Sequence, residues 1–184
     1  MKAINDGMVE GLRIVGEKFE AGEYFLIELI SAGVAAEEAM KVLEPHLKKG
    51  EQVARKMGTI VLGTVEGDLH TIGKDIVKML LRGVGFEVVD LGSDVPTERF
   101  IEAVRIHKPQ ILGMSALITI SMPAMGKVMA QLTKGGLRKQ LKTIVGGASV
   151  SEEFAKKIGA DAFAPNAVAG VNICKEWVTR GNSN

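Results

Sequence analysis

The hydrophobic residues of the chain follow two patterns, which change near residue 50. Up to that point, apolar side chains recur every three or four positions, the spacing that places them on one face of an α-helix. The first such set is Ile4, Met8, Leu12, Val15 and Phe19. Ala21 and Gly22 separate it from a second set that continues through Phe25 and Leu29. We therefore predict a helical segment over residues 1–50.

From residue 51 onward, short apolar runs alternate with stretches of helical pattern. The predicted strands cover residues 59–65, 86–91, 110–114, 141–145 and 161–163. Strands that alternate with helices are typical of a parallel sheet covered on both faces. For residues 51–184 we predict an α/β domain with a flavodoxin-like, Rossmann-like five-stranded parallel sheet. The segment 1–50 would then be an N-terminal helical cap.

Proline, hydroxyl and acidic residues mark where several helices begin and end. Pro96 and Ser151 each stand just ahead of acidic residues, which is typical of a helix start. Pro109 disfavours helical backbone angles at the residue before it, so a helix is predicted to end at about His107. These signals support the division into strands and helices.

The loop after the first predicted strand carries three residues that could bind a ligand: Asp68, His70 and Gly73. Open α/β sheets bind ligands beyond the carboxyl ends of their strands. A carboxylate two residues from an imidazole can hold it in one tautomer and make it a better metal ligand, and a glycine leaves bare backbone where a large group can approach. The alternative is that Asp68 caps the helix that starts near Thr71, with His70 as an exposed loop residue.

Two later strand ends carry further candidates. After the third predicted strand, the hydroxyl groups of Ser115, Thr119 and Ser121, with Leu117 between them, could line a ligand. Their alternative is ordinary: polar turn residues beside a core leucine. Gly146 and Gly147 end the fourth predicted strand, where bare backbone permits either a tight turn or the close passage of a ligand.

The spacing Asp-x-His-x-x-Gly, followed by the serine run and the glycine pair at later strand ends, resembles the signature of cobalamin-binding domains. The resemblance implies cobalamin as the cofactor, bound with its own benzimidazole released and with His70 as the lower ligand of cobalt. The nucleotide tail would enter the α/β domain. The residues implied to contact the cofactor are Asp68, His70, Gly73, Ser115, Leu117, Thr119, Gly146 and Gly147.

The same resemblance implies a catalytic role for Asp68 and Ser121. The serine would hydrogen-bond the loop aspartate, and both would share a proton with His70. Cobalt(I) lacks a lower axial ligand, whereas methyl-cobalt(III) tolerates one. Proton uptake by this group would therefore accompany release of the histidine, and the protein would couple protonation to cobalt reactivity.

Residues 16–25 resemble the cap of the small corrinoid proteins that serve methylamine, methanol and methoxyaromatic methyltransferase systems. Members of that family carry a methyl group and are not complete enzymes. The resemblance implies two partners, a substrate-specific methyltransferase and a second, methylcorrinoid-dependent methyltransferase, and a reductive activator is a candidate third. The family's cap is a four-helix bundle, and residues 1–50 are predicted to form part of one.

Composition adds mostly exclusions. The net charge of +1 gives no basic surface for nucleic acid, and no apolar stretch reaches the length of about 20 residues that a membrane helix needs. Cys174 has no partner for an intrachain disulfide, and the first residues lack a signal-peptide pattern, so the expected compartment is the cytoplasm.

Three other functions share parts of these features. A cobalamin-dependent sensor or regulator would carry the same cap and binding domain, but would ordinarily add a DNA-binding segment. The cobalamin-binding subunit of a carbon-skeleton mutase would carry the loop motif without needing the helical cap. A flavodoxin-like domain that binds flavin is the alternative at the level of the fold.

Overall fold

The computed structural model describes residues 7–43 and 57–181. Two helices, α1 (Glu10–Glu20) and α2 (Leu26–Leu43), form the amino-terminal part and correspond to the predicted helical cap. The predicted domain boundary at residue 50 lies outside the described residues.

The five predicted strands are confirmed, with ends that shift by at most one residue. They are β1 (Thr59–Thr64), β2 (Glu87–Asp90), β3 (Ile111–Ser115), β4 (Lys142–Gly146) and β5 (Ala162–Ala164). All neighbouring strands pair in parallel, and their order across the sheet is β2-β1-β3-β4-β5. This is the flavodoxin-like order, so the predicted fold class is confirmed.

Helices cover both faces of the sheet, which explains why the three central strands, β1, β3 and β4, are almost continuously buried. On one face lie α4 (Thr97–His107), α5 (Met122–Lys134) and α6 (Glu152–Ile158), which share a buried cluster with β1, β3 and β4. On the other face lie α3 (Ile72–Gly83) and α7 (Ala167–Gly181). The amino-terminal helices α1 and α2 contribute to this second buried cluster.

Small residues allow the amino-terminal helices to pack closely on that second face. A Cβ atom added at Gly16 of α1 would lie 2.9 Å from Val168 of α7. At Gly83 of α3 it would lie 2.8 Å from Leu12 and 3.2 Å from Ala36. The cap therefore packs on α3 and α7, the two helices that border the site described below.

The predicted helix boundaries agree with the structure. The Ser151 side chain accepts a hydrogen bond from the Phe154 backbone N–H at 3.1 Å and so caps α6. Helix α4 ends at His107, and Lys108 adopts a φ of 43° just before Pro109. In the parts of the chain that the structure describes, no helix is long and apolar enough to cross a membrane.

Candidate functional site

Asp68 is the centre of the candidate site, and it is buried despite lying in a loop. The loop follows β1 at the switch point of the sheet, where β1 and β3 lie side by side and chain connections leave in opposite directions. The residue is 1% exposed. One carboxylate oxygen, Oδ2, accepts hydrogen bonds from the backbone N–H groups of Leu117 at 2.6 Å and Ile118 at 3.2 Å. Asp68 therefore joins the loop after β1 to the loop after β3.

The other carboxylate oxygen of Asp68 holds His70. Oδ1 lies 3.0 Å from the backbone N and 2.7 Å from the ring atom Nδ1 of His70. An ionised carboxylate only accepts hydrogen bonds, so Nδ1 carries a proton, and in the neutral ring Nε2 is then the nitrogen with the free lone pair. The His70 side chain is 54% exposed. The ring thus directs Nε2 away from Asp68.

The hydrogen bonds at Asp68 keep it ionised. Burial by itself raises the pKa of this carboxyl, but the backbone and side-chain groups of His70 and the N–H groups of Leu117 and Ile118 outweigh it. The net result is a pKa well below the usual range. The alternative in which Asp68 caps α3 is not what the structure has, because its carboxylate is committed to these other donors and α3 begins after Thr71.

Ser121 contacts Asp68, as the sequence resemblance implied. Its Oγ lies 3.0 Å from Asp68 Oδ2 and 2.8 Å from the carbonyl oxygen of Ile118, and the residue is 3% exposed. One hydroxyl hydrogen serves one of these acceptors at a time. Thr119 is exposed, and it is not among the residues that line the cavity described below.

Two residues outside the predicted set, Thr64 and Asp94, also hold the loop. The buried Thr64 hydroxyl donates to the carbonyl oxygen of His70 at 3.1 Å. Asp94, in the loop after β2, accepts from the Gly67 N–H at 2.7 Å and donates its own N–H to the Asp68 carbonyl at 2.9 Å. The sequence signal for Asp94 was weak, since an aspartate between a strand and a proline is common in turns.

A cavity of about 540 Å³ opens beside His70 and extends between α3 and α7 along the sheet. The predicted residues Gly73, Ser115, Leu117, Gly146 and Gly147 all line it, together with His70. The amino-terminal helices also reach it through Phe19, Leu26 and Leu29. Besides Asp68 and His70, six residues were predicted to contact the cofactor. Five of them line this one cavity, and Thr119 does not.

The three glycines of the site differ in how much room an added side chain would have. At Gly147, φ is +124° and an added Cβ would lie 2.0 Å from the carbonyl oxygen of Ala116, so the chain's own backbone requires a glycine there. At Gly146 the added atom would meet the Ala164 carbonyl oxygen at 3.2 Å. At Gly73 it would meet nothing within 4 Å, which leaves open space beside the start of α3.

Among the described residues, His70 is the candidate metal ligand, and it does not belong to a larger set of metal-binding side chains. No group of three or more His, Cys, Asp and Glu residues that could hold a metal ion is found in residues 7–43 and 57–181. A protein imidazole with an open nitrogen and a neighbouring large cavity suits a metal that arrives in an organic ring and needs one further ligand. The residues present therefore fit a corrinoid.

Comparison with protein-family models decides the family. A B12 binding domain model matches residues 58–171, and a second B12 binding domain model matches residues 1–44. The chain belongs to the B12-binding corrinoid proteins. Its cofactor is cobalamin, as the resemblance to cobalamin-binding domains implied. This result favours cobalamin over the flavin alternative.

Individual relatives agree with this assignment. The corrinoid protein is 44% identical, over 167 residues, to trimethylamine corrinoid protein 1 of Methanosarcina acetivorans, covering 91% of this chain and 77% of the relative. It resembles the crystal structure of a cobalamin-binding protein from Desulfitobacterium hafniense DCB-2 with a TM-score of 0.82 and 43% identity, covering 92% and 79% of the two chains.

A third relative is part of a complex. The methanol:cobalamin methyltransferase complex MtaBC from Methanosarcina barkeri contains a chain that matches this corrinoid protein with a TM-score of 0.83 and 30% identity. The match covers 97% of this chain and 67% of that chain. The predicted kinship with corrinoid proteins of methyltransferase systems is therefore confirmed.

Proposed function

We propose that this corrinoid protein carries a methyl group on the cobalt of cobalamin between two methyltransferases, and that it binds the cofactor with its benzimidazole released and His70 as the lower cobalt ligand. The single observation that supports this most is the contact of Asp68 Oδ1 with His70, at 3.0 Å from its backbone N and 2.7 Å from its ring Nδ1. When bound, the cobalt supplies the chemistry of accepting and donating the methyl group.

His70 has the properties that an axial ligand needs. Its Nδ1–H is held by an ionised carboxylate, so Nε2 of the neutral ring is the nitrogen left to bind a metal, and the bond to Asp68 makes it a better ligand. Because the backbone N–H of the same residue is bound to the same oxygen, the side chain and main chain of His70 are oriented together. The ring is therefore held at the carboxyl edge of the sheet before any ligand arrives.

The surface around His70 suits a broad, apolar macrocycle. Leu69 and Ile72, on either side of it in the chain, are each 74% exposed, and Ile120 is 83% exposed. Leu117, 40% exposed, is held beside them because its N–H binds Asp68. Isolated exposed apolar residues are ordinary, but several around one partly exposed histidine favour contact with a large ligand.

The cavity suits the nucleotide tail of the cofactor. Ser115 at the end of β3 and Asn166 ahead of α7 supply polar side chains at its opening, and Gly146 and Gly147 supply backbone without side chains. We assign tail contacts to Ser115, Leu117, Gly146 and Gly147. Thr119 keeps its predicted role only if its loop changes position on binding.

The methyltransferase partners are inferred from the relatives. Proteins named trimethylamine and dimethylamine corrinoid proteins share 40–44% identity with most of this chain, and the chain matched in MtaBC is found with a methyltransferase. The similarity spans the amino-terminal helices and the sheet domain alike, which favours the carrier over the mutase subunit. A reductive activator stays a prediction.

The cobalt ligand can be tested by electron paramagnetic resonance of the cobalt(II) form, reconstituted with hydroxocobalamin. We expect coupling to one protein nitrogen, which 15N-histidine labelling would alter, and we expect the coupling to disappear in His70→Gly. His107→Ala, at the exposed end of α4, is the matched control and should keep it. Bound cobalamin without protein nitrogen coupling in the wild type would contradict the proposed ligand, and no bound cobalamin would contradict the proposal as a whole.

A further inference from the structure

The cavity beside His70 changes character with depth. Its polar lining side chains are His70, Lys74, Ser115, Asn166 and Cys174. The first four belong to the loop after β1, the first turn of α3, the end of β3 and the residue before α7. All four positions lie at the carboxyl edge of the sheet, so the polar groups collect at the opening.

Strand register gives the depth of the remaining lining residues. Ser115 pairs with Gly146 at the carboxyl edge, Gly113 pairs with Leu62 and Ile144 one layer deeper, and Ile60 pairs with Ile111. Positions 115 and 111 are four residues apart along β3, which is about 13 Å at the rise of a β-strand. Ile60 therefore lies about that far below Ser115.

The helices on either side reach the same depth with apolar or weakly polar groups. Cys174 follows Ala167, the first residue of α7, by seven positions, which is about 10 Å along a helix. Leu81 follows Ile72, the first residue of α3, by nine positions, about 13 Å. Both helices run back from the carboxyl edge, so Ile60, Leu81 and Cys174 border the deep end, and all three are buried.

Among the lining residues that the structure describes, Cys174 has the only polar side chain at this depth. Its thiol is 2% exposed, and burial raises its pKa to about 12, so it is a neutral group. A thiol is a weak donor and a weak acceptor. Backbone groups of the flanking helices and strands are used within those elements. The deep end can therefore satisfy about one weak hydrogen bond.

We propose that the deep end of this cavity selects the lower base of the corrinoid, accepting an apolar bicyclic base such as dimethylbenzimidazole and disfavouring a purine. The proposal rests on the proposed function, because it takes the nucleotide tail to enter this cavity. Once released from cobalt, benzimidazole has one ring nitrogen that lacks a substituent. Adenine adds an exocyclic amine and further ring nitrogens, which would lose water without gaining partners.

The test compares the affinity of the full apo chain for cobalamin and for the cobamide that carries adenine, followed by the visible spectrum of the bound corrinoid. We expect cobalamin to bind at least about tenfold more tightly, the ratio that one unsatisfied buried polar group produces. Equal affinities would overturn the selection while leaving the proposed function intact. Failure of cobalamin itself to bind would instead remove the proposed function.

Cobinamide, which lacks the nucleotide, separates the two parts of the site. We expect it to bind more weakly than cobalamin, because the cavity then receives nothing. If cobinamide bound as tightly as cobalamin, the tail would not use this cavity and the proposed selection would be wrong. The ligand role of His70 would be unaffected, because it is read separately by paramagnetic resonance.

A matched pair of variants assigns the selection to the deep end. Cys174→Ser offers a stronger hydrogen-bonding group of the same shape, so the preference for cobalamin should fall by about threefold or more. Val171→Thr places a hydroxyl on the same helix, lining a separate cavity of about 150 Å³ between α1 and α7, and should leave the ratio unchanged. Equal changes in both variants would overturn the assignment. If Cys174→Ser fails to fold, the wild-type ratio still decides the proposal.

Discussion

One oxygen of Asp68 lies 3.0 Å from the backbone N of His70 and 2.7 Å from its Nδ1, while the other oxygen binds the loop after β3. A residue two positions away in sequence is thus oriented by a group that also connects two strands. The arrangement stabilises the loop and chooses the histidine tautomer with the same carboxylate. Substitutions at Asp68 should therefore affect stability and cofactor chemistry together.

Asp68→Asn should lower the free energy of unfolding of the apo protein by roughly 2–4 kcal/mol. The carboxylate accepts hydrogen bonds from the N–H groups of both His70 and Leu117. The NH2 of an asparagine side chain would instead face one of these donors and leave it unpaired. Urea unfolding followed by the fluorescence of Trp177 measures this change. Ser121→Ala, which removes one of several groups at Asp68, should cost only about 1 kcal/mol.

The catalytic role predicted for Asp68 and Ser121 has a separate measurement. With each methyltransferase partner in turn, Asp68→Asn should slow at least one methyl-transfer step in the cobalamin-loaded protein, because the proton shared with His70 is disturbed. Unchanged rates in both directions would remove the relay role. They would leave the structural role of the carboxylate, measured by unfolding, untouched.

Gly147→Ala should destabilise the protein by about 2 kcal/mol or more, because the added Cβ would lie 2.0 Å from the Ala116 carbonyl oxygen at a φ of +124°. Gly73→Ala is the control, since its added Cβ meets nothing within 4 Å and alanine favours the helix that begins there. We expect that variant to be as stable as the wild type or slightly more stable. Thermal unfolding of both apo variants compares them, and equal losses would contradict this account.

Lys74 and Lys78 of α3 bind the carboxylates of Asp75 and Asp90 at 2.7–2.9 Å, and the Lys74 side chain is 1% exposed. Asp90→Asn should cost roughly 2 kcal/mol, because it leaves part of the Lys74 charge unpaired in the interior. Asp75→Asn should cost less, about 1 kcal/mol or below, since its side chain is 43% exposed. Urea unfolding at neutral pH measures both, and the reverse order would contradict the burial argument.

The same cluster predicts loss of stability in acid. Burial raises the pKa of both carboxyls, but the lysine hydrogen bonds outweigh it, lowering the pKa of Asp75 to about 2 and that of Asp90 below its usual range. Their contribution is present above about pH 4 and is lost as the pH falls toward 2. The unfolding free energy should decline over that interval, and Asp90→Asn should reduce the slope. An unchanged slope in the variant would contradict the assignment.

Cys174 should resist alkylation in the folded protein. Burial raises its pKa to about 12, so its thiolate is scarce near neutral pH, and its side chain is enclosed. Iodoacetamide should label it at least about a hundredfold more slowly than in concentrated urea. Mass spectrometry of the intact chain follows the reaction, and comparable rates in the two conditions would be inconsistent with a buried thiol.

Local sequence patterns were sufficient for the fold. Apolar runs of three to seven residues between helical stretches predicted all five strands, because a parallel sheet buried on both faces needs continuous apolar sequence. Ser151 and Pro109 predicted helix ends, because capping and the steric effect of proline act between neighbouring residues. Strand ends shifted by at most one residue, since pairing with the neighbouring strand decides where a ladder stops.

The sequence alone could not choose between Asp68 as a helix cap and Asp68 as the partner of His70, because both need a carboxylate at that place in the loop. Tertiary structure decided it by bringing the N–H groups of Leu117 and Ile118, about fifty positions later, to the same carboxylate. Thr64 and Asp94 as loop supports, and Cys174 at the deep end of the cavity, emerged only when separate elements packed together. Contacts between distant residues depend on register and packing, which no local pattern encodes.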